Sequence, residues 1–545
     1  MLTSLTHRAL RLACWRADRV FRAQRDDIER VQRHKLSQLL AQSAPQSGLL
    51  PGASWEDFRD SLPLTRYADW QTRIAAQREG RDALSRSPLV RYQPTSGSSE
   101  KLKLIPYTRS FLGELDAAIA PWVASLYRQH PGLAGGVHYW SVSWLPESQR
   151  QLLDGNFNDD SELLGGIKRL LAARSQAVPA GVAFAGRADD AMFATLACLI
   201  AQPELRLLSV WSPTFALQML EAIARWGVEL VEVLRTGHWG SRAASLVTMT
   251  APHAPQRAAV LASALAAPAM EMGQRLWPRL ALVSAWDTAD AAPWAAQLRL
   301  AFPQAGFEGK GLWATEGVVT IPYEGLYPLA YHSHVYEFER IDTGEVLAPW
   351  ELREGDEVSP VLSAGNGLLR YRLDDRLAVT GLWGKVPCFQ FLGRRFGVDL
   401  VGEKMSPEAA RQVLAETALA FDLEPVSLLA VDAAGHGRSR YVALFGRSSA
   451  QGGQAPDREA IAAAVERGLR RHFHYDLARD LHQLEPTAVV LVDDGWEAYQ
   501  RIAVAGGMIA GNIKPEPVRR IPLTSLHAAL PEATGFFLAG ARASS

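Results

Sequence analysis

A short stretch rich in hydroxyl side chains is the part of the sequence best suited to chemistry. Its centre consists of four hydroxyl residues around one glycine: Thr95, Ser96, Gly97, Ser98 and Ser99. Hydroxyls and free backbone N–H groups in such a loop form a concavity that suits phosphate oxygens, and Lys103 adds a mobile positive charge. A solvated turn is the competing interpretation. The mononucleotide P-loop is excluded, because G-x-x-x-x-G-K-[ST] occurs nowhere in the chain.

Three later segments, in this order and at these separations, resemble the signature of acyl-adenylate-forming enzymes. They are residues 313–317 (WATEG), residues 371–375 (YRLDD), and Gly393-Arg394 running on to residues 402–404 (GEK). Within that superfamily the chain is similar to the Gretchen Hagen family, the auxin-responsive acyl-acid amido synthetases, in its shorter bacterial-type form. Further similarities lie at 58–67, 210–215, 276–280 and 511–515. The resemblance therefore covers nearly the whole chain.

The resemblance implies a site for ATP and Mg²⁺. It assigns Glu316 to the metal and to catalysis, Asp375 to the ribose hydroxyls, and Trp313 to a position against the adenine. It assigns Lys404 and Lys514 to a catalytic role at the phosphate. The other nucleotide-binding positions that it implies are Thr95, Ser96, Gly97, Ser98, Ser99, Lys103, Ala314, Thr315 and Arg394.

Each of these carboxylates also has a purely structural interpretation. Glu316 could pair with an arginine, and Asp375 stands close to Arg372 and Arg376, where a surface ion pair could form. The chain also departs from the family pattern at two positions where glycine is usual, Glu100 and Asp374. Neither departure removes an implied ligand.

The chemistry that the resemblance implies is the activation of a carboxylic acid. A carboxylate does not react with an amine at neutral pH, because its leaving group would be oxide, and attachment of AMP supplies a good leaving group. The predicted function is an ATP-dependent ligase that forms acyl-AMP and transfers the acyl group to an amino acid or related amine. Two alternatives stay open: transfer to a thiol of coenzyme A or a carrier protein, and a non-catalytic nucleotide-binding relative.

Tryptophan is abundant and suggests where the acid binds. The chain has 16 tryptophans, and Trp140, Trp144, Trp211 and Trp313 lie close to the motif segments. Trp140 and Trp211 are the candidates for an acyl pocket, which would suit an aromatic or other apolar acid. A core role is the alternative for each.

Composition limits the other possibilities. The chain is 48% hydrophobic and 21% charged, with a formal net charge of −1, which gives no general attraction to nucleic acid or anionic membrane. Its three cysteines favour a reducing compartment, and no apolar run approaches the ~20 residues that span a bilayer. A cytoplasmic location is the expectation. The histidine pairs 332/334 and 472/474 are interpreted as ordinary surface or strand residues.

The alternation of strands and helices predicts an α/β fold with two domains. We expect a large N-terminal adenylation domain over 1–400, built from mixed and parallel sheets flanked by helices, with a β-rich subdomain over about 312–400. A smaller α+β domain, 401–545, is expected to act as a mobile lid on a hinge at 402–405. Helices are predicted at 1–45, 109–129, 257–271 and 457–474, and a strand at 367–371.

Overall fold

The computed structural model describes most of the chain, and its residues form two compact units. The described residues are 2–42, 52–94, 103–142, 144, 166–395, 397–401, 403, 405–433, 438–447, 457–480, 483–508, 510 and 513–531. The first unit contains those up to residue 94 and those from 103 to 393, and the second contains those from 394 onward. Among the described residues no helix is both long and apolar enough to cross a bilayer.

The first unit begins with a series of helices. The single helix predicted over 1–45 is two helices, α1 (Leu2–Ala23) and α2 (Ile28–Gln42). The carbonyl of Asp27 accepts the N–H of Val31, and aspartate is a favoured residue at a helix start. Three further helices follow: α3 (Trp55–Ser61), α4 (Tyr67–Arg78) and α5 (Arg109–Gln129). The bounds predicted for α5 are confirmed, and the Thr108 hydroxyl caps its first turn.

A four-stranded parallel sheet confirms the predicted α/β character. Its strands, in spatial order, are β3 (Val137–Trp140), β4 (Leu205–Ser209), β5 (Leu282–Ala285) and β6 (Gly306–Gly309). The helices between and beside these strands are α6 (Gly166–Ser175), α7 (Ala188–Ile200), α8 (Pro213–Arg225), α9 (Gly227–Thr236), α10 (Pro255–Leu265), α11 (Ala269–Leu276) and α12 (Ala292–Ala301). The helix predicted over 257–271 is wrong, because Pro268 separates α10 from α11.

Antiparallel strands form the rest of the first unit. One hairpin, β1 (Leu89–Pro94) with β2 (Leu104–Thr108), brackets the hydroxyl-rich loop, and a second pairs β7 (Trp313–Ala314) with β8 (Gly317–Val318). The larger sheet contains β9 (Val335–Arg340), β10 (Val346–Leu347), β11 (Glu357–Ser363), β12 (Tyr371–Arg372), β13 (Asp375–Trp383) and β14 (Val386–Arg394). The strand predicted at 367–371 is wrong, because Gly367 turns the chain with a φ of +93° and β12 begins only at Tyr371.

The second unit is a mixed sheet with helices, in agreement with the predicted α+β pattern. Its strands are β15 (Leu423–Asp432), β16 (Arg440–Arg447), β17 (Ala488–Val492) and β18 (Val518–Pro522), in the order β17-β16-β15-β18. Its helices are α13 (Pro407–Phe421), α14 (Arg458–Leu469), α15 (Phe473–Asp480), α16 (Gly495–Ala505) and α17 (Leu523–Ala529). The helix predicted over 457–474 is therefore two shorter helices.

Candidate active site

Glu316 lies at the tip of the β7–β8 hairpin, where two tyrosine hydroxyls hold the turn. The pairing of Trp313 with Val318 and of Ala314 with Gly317 leaves Thr315 and Glu316 in the connection. The Tyr371 hydroxyl donates to Oε1 of Glu316 at 3.1 Å, and the Tyr107 hydroxyl donates to the Thr315 carbonyl at 3.1 Å. The carboxylate is therefore held from β12, and the backbone of the turn is held from β2.

Both tyrosines remain hydrogen-bond donors at neutral pH. Burial raises the pKa of the Tyr371 hydroxyl well above its usual value, and the charge of Glu316 raises it further. Burial likewise raises the pKa of Tyr107. Close packing also requires the glycine of this motif, since a Cβ on Gly317 would lie 2.8 Å from Nε2 of His334. The turn around Glu316 is accordingly rigidly defined.

The segment at 65–67 supports the 371–375 motif. The Thr65 N–H donates to the Arg370 carbonyl at 2.8 Å, and Thr65 in turn accepts from the Arg372 N–H at 2.9 Å. Arg66 pairs with Asp374 at 2.5 Å. Asp374 has a φ of +59°, in the left-handed region that glycine favours. The departure from glycine therefore preserves the turn, and the Arg66 ion pair engages the substituted side chain.

The two arginines close to Asp375 have other carboxylate partners. Arg372 pairs with Glu339 at 2.8 Å, and Arg376 pairs with Glu357 at 3.0 Å. Asp375 is half-buried at the start of β13. Its assignment to the ribose stays a prediction.

The structure places Lys103 beside the same segment. Its Nζ lies 5.8 Å from the centroid of the Tyr67 ring, and the Tyr67 hydroxyl accepts the Leu104 N–H at 2.9 Å. The structure therefore brings Lys103, the 65–67 segment and the 371–375 motif into one neighbourhood, and Tyr371 joins it to Glu316. The loop residues Thr95, Ser96, Gly97, Ser98 and Ser99 lie outside the described residues.

The remaining lysine and arginine candidates lie at or beyond the boundary of the first unit. Arg394 is exposed at the end of β14, and Lys404 lies outside the described residues. Lys514 belongs to the second unit, where its carbonyl accepts the Tyr499 hydroxyl at 3.0 Å. Their catalytic and nucleotide-binding roles stay predictions.

The predicted hinge at 402–405 stays a prediction, and its described residues make local contacts. The Met405 N–H donates to the Val398 carbonyl at 2.8 Å, and the Met405 side chain is buried in the core of the second unit. The Glu403 carboxylate accepts the N–H groups of Leu400 and Val401, each at 2.8 Å. Val398, Leu400, Val401, Glu403 and Met405 are therefore linked by hydrogen bonds within the second unit.

Four tryptophans meet at the carboxyl ends of the parallel strands. Trp122 lies 5.7 Å from Trp140 and 5.4 Å from Trp313, and Trp211 lies 5.7 Å from Trp313, measured between ring centroids. In open α/β sheets ligands bind in the crevice at this edge. Trp144 packs elsewhere, where its Nε1 donates to the Ala185 carbonyl at 2.8 Å. We call Trp122, Trp140, Trp211 and Trp313 the tryptophan cluster.

A buried lysine within this cluster escaped the sequence analysis. Lys310 follows β6, is only 7% exposed and donates to the Ser209 hydroxyl at 2.6 Å. Its Nζ lies between 5.0 and 5.9 Å from the ring centroids of Trp122, Trp140 and Trp211, within the range of cation–π attraction. The sequence feature that could have pointed to Lys310 is its position directly after a short strand. The cluster therefore contains a buried lysine whose Nζ is held by Ser209 among three indole rings.

Glu308 adds a titratable carboxyl to the same edge. Its Oε1 accepts the Trp122 indole N–H at 2.9 Å. Burial raises the pKa of the Glu308 carboxyl to about 7, although that hydrogen bond and the charge of Lys310 act in the opposite direction. At neutral pH this group is close to half-protonated.

Stability should depend on pH through Glu308. Because the pKa is raised from about 4.5 to about 7, the folded protein retains a proton that the unfolded chain releases between these values. The stability that this group contributes should therefore fall as pH rises through that interval and level off above it. Glu308→Gln should lack this dependence, while Glu345→Gln, an exposed carboxyl in the same unit, should keep it. Chemical denaturation of the three proteins across pH 4.5–7 measures the difference, and identical curves for Glu308→Gln and its parent would contradict it.

The side chains that could bind Mg²⁺ are few in the described part of the chain. Among the residues that the structure describes, no three histidine, cysteine, aspartate or glutamate side chains gather as a metal cage. Mg²⁺ is commonly held by one or two carboxylates together with substrate phosphates. Glu316, held by the Tyr371 hydroxyl on a turn that also contacts Tyr107 of β2, fits that second arrangement.

Comparison with known families agrees with this arrangement of elements. Residues 18–307 match the GH3 family N-terminal domain, and residues 327–394 match the GH3 family central domain. The chain belongs to the GH3 family. The predicted Gretchen Hagen family is thereby confirmed.

Individual relatives of this GH3 chain are distant in sequence and similar in fold. Indole-3-acetic acid-amido synthetase GH3.15 of Arabidopsis thaliana is 22% identical over 410 residues, 68% of each chain. The structure of GH3.15 acyl acid amido synthetase has a TM-score of 0.72 at 18% identity, covering 95% of this chain and 96% of that one. The complex of that synthetase with 2,4-DB gives 0.72 at 17% identity, with 96% coverage of each chain. These structures share the mixed α/β fold of this chain.

Proposed function

We propose that this protein is an ATP-dependent acyl-acid amido synthetase of the shorter form. The observation that carries the proposal is the position of Glu316, held by Tyr371 on one side of the β7–β8 hairpin, while Trp313 at the base of the same hairpin joins the tryptophan cluster. A candidate metal ligand and a candidate acyl pocket are thus a few residues apart. Membership of a family of acyl-acid amido synthetases supports the assignment.

The first half-reaction would join the acid to AMP. A carboxylate oxygen of the acid attacks the α-phosphorus of ATP, a new P–O bond forms, and the bond to pyrophosphate breaks. Lys103 and the loop at 95–99 would hold the β- and γ-phosphates, and Glu316 would hold Mg²⁺, which offsets the charge that builds on the phosphate oxygens. Asp375 would bind the ribose hydroxyls. Trp313, Ala314, Thr315 and Arg394 would complete the nucleotide site.

The tryptophan cluster with Lys310 would bind the acid. A planar apolar acid can lie among indole rings, and the buried ammonium of Lys310 supplies the one positive charge that its carboxylate needs in a dry pocket. Trp140 and Trp211 therefore keep their proposed role as acyl-pocket residues, now with Trp122 beside them. We infer an aromatic or similarly flat carboxylic acid as the substrate class. The 2,4-DB complex of GH3.15 acyl acid amido synthetase, an acyl acid bound to a protein of the same fold, supports this inference.

The second half-reaction would pass the acyl group to an amine. The amine nitrogen attacks the acyl carbon, AMP leaves, and the ammonium proton passes to solvent or a base. Lys404 and Lys514 would serve the phosphate during adenylation, and the predicted lid domain, 401–545, would exclude water from the acyl-AMP. Thiol transfer is the alternative second step.

The acceptor can be identified by product analysis. The protein is incubated with ATP, Mg²⁺ and a panel of aromatic acids, and the acyl-AMP formed is divided between a mixture of amino acids and coenzyme A. We expect N-acyl amino acids by mass spectrometry and no acyl thioester above the uncatalysed background. Thioester as the main product would replace the amide proposal with the thiol alternative. Absence of acyl-AMP with every acid would favour the non-catalytic alternative.

A further inference from the structure

A basic pocket lies on α2, apart from the residues assigned to catalysis. It is a cavity of about 220 Å³ between α2 and the turn before β9. Its polar lining contains four basic side chains, two amides and no carboxylate: Gln24, Arg30, His34, Lys35, Gln38 and His332. Val31 is the apolar lining residue. We call this cavity the α2 pocket.

Two basic groups in this pocket have unused binding capacity: Lys35 has no ion-pair partner and His332 has a ring nitrogen without a hydrogen bond, among the described residues. Among the described residues none forms an ion pair with Lys35, and burial lowers the pKa of its ammonium. Nε2 of His332 is enclosed and makes no hydrogen bond to any described residue. Burial lowers the pKa of His332 to about 4, and the charge of Lys35 lowers it further. The lining is therefore rich in basic and amide side chains, and Lys35 and Nε2 of His332 have no hydrogen-bond partner among the described residues.

The neighbouring carboxylates are already engaged. Glu114, whose charge acts on Lys35, contacts Nδ1 of His334 at 2.8 Å and accepts the Gly365 N–H at 3.0 Å. Asp27 pairs with Arg30 at 2.8 Å on the exposed side of α2. Lys35 is half-buried, and an ammonium at such a site is stabilised by a nearby opposite charge. This arrangement therefore favours a ligand that brings negative charge and acceptor oxygens.

We propose that the α2 pocket binds a phosphate-type oxyanion. Such an anion offers several acceptor oxygens to Lys35, His332 and the two amides, and carries the missing charge. The cavity of about 220 Å³ is smaller than the roughly 300–1,000 Å³ of pockets for drug-sized ligands. A cavity of this size suits inorganic phosphate or the phosphate end of a small phosphomonoester. This site does not depend on the proposed synthetase activity.

The pocket is also connected to the Glu316 hairpin. Glu114 contacts His334, and Nε2 of His334 accepts the Val318 N–H at 3.2 Å. Val318 pairs with Trp313 in that hairpin. The earlier interpretation of His334 as an ordinary surface or strand histidine is thus too simple, since it is fully buried and joins the two regions. A bound anion that draws on the charge of Lys35 would act on Glu114, the first group of this path.

Histidine side-chain NMR of the full chain tests the proposal. Inorganic phosphate is titrated at neutral pH against chloride at matched ionic strength, and the His332 resonance is assigned from its loss in His332→Asn. We expect a saturable shift of that resonance, half-complete at about 1 mM phosphate or lower. Lys35→Met should abolish the shift, and Lys385→Met, which removes an exposed lysine in the same unit, should keep it. The other histidine resonances verify that each variant is folded.

The outcomes are distinct. Phosphate bound at the hydroxyl-rich loop would leave His332 unmoved and would survive Lys35→Met, so it cannot imitate the expected result. A parallel titration with glycerol 3-phosphate decides between the two sources: an equal shift indicates a phosphomonoester ligand, and a shift with inorganic phosphate alone indicates the free ion. No saturable shift with either, or the same shift in Lys35→Met, overturns the proposal.

Discussion

Glu316→Gln should lower acid-dependent exchange of pyrophosphate into ATP by at least about 100-fold at saturating Mg²⁺. The amide keeps the size of the side chain and its hydrogen bond from Tyr371, which lies 3.1 Å from Oε1. It loses the charge that would hold the metal against the phosphates, and loss of one preorganised electrostatic group of this kind costs about 10²–10³ in rate. Exchange of radiolabelled pyrophosphate measures the effect, and the melting temperature should remain close to that of the parent.

Two control variants test whether the loss of exchange is specific to the charge of Glu316. Glu345→Gln removes an exposed carboxylate in the same unit and should exchange at the parental rate. Tyr371→Phe keeps the charge of Glu316 but removes the donor that holds it, so a smaller loss is expected. Parental exchange by Glu316→Gln would show that this carboxylate does not bind the metal.

Lys310→Met should raise the KM for the carboxylic acid by about 10- to 150-fold, with little change in the KM for ATP. The estimate follows from about 1.5–3 kcal/mol for a hydrogen bond to a charged group. Lys310 is enclosed by Trp122, Trp140 and Trp211, so no solvent ion can easily replace its charge. Steady-state exchange kinetics with each substrate varied in turn separates the two constants.

The melting temperature of Lys310→Met distinguishes a specific rise in the KM for the acid from partial unfolding. Methionine fills nearly the same volume, and removal of a buried charge is often neutral or stabilising, so the melting temperature should not fall. Lys385→Met is the control for loss of a lysine at an exposed position. A rise in the KM for ATP instead of the acid would move Lys310 from the acyl pocket to the nucleotide site.

The elements that could be predicted from sequence are those with a local signal. Helix α5 has a strong apolar period, a capping threonine at Thr108 and a Pro131-Gly132 end, and its bounds were predicted correctly. Helix α9 was not predicted, because it follows α8 directly at Gly227 without a loop. Strand β18 was also missed, since its pairing partner β15 lies almost 90 residues earlier in the chain and a short edge strand has little signal of its own.

The candidate site also contains residues that could be predicted from the sequence and residues that could not. The resemblance of residues 313–317 to the family motif singled out Glu316, and the structure adds that Tyr371 holds its carboxylate and Tyr107 its turn. The position of Lys310 in the tryptophan cluster could not be predicted, because this lysine contacts residues from three distant segments. The tryptophans that it contacts lie at 122, 140 and 211, and nothing in the local sequence marks a lysine as buried. Asp374 is an intermediate case: the departure from glycine was visible, but its left-handed φ and its Arg66 partner were not.

Acid-dependent exchange of pyrophosphate into ATP by the parent protein tests the central claim most directly. The panel should contain aromatic, aliphatic and small polar carboxylic acids, each assayed with and without Mg²⁺, because exchange reports acyl-AMP formation before any acceptor is needed. We predict Mg²⁺-dependent exchange with at least one aromatic acid and none without an acid. Exchange that is absent for every acid, or that proceeds equally without one, would contradict the assignment of this protein as an acyl-adenylating synthetase.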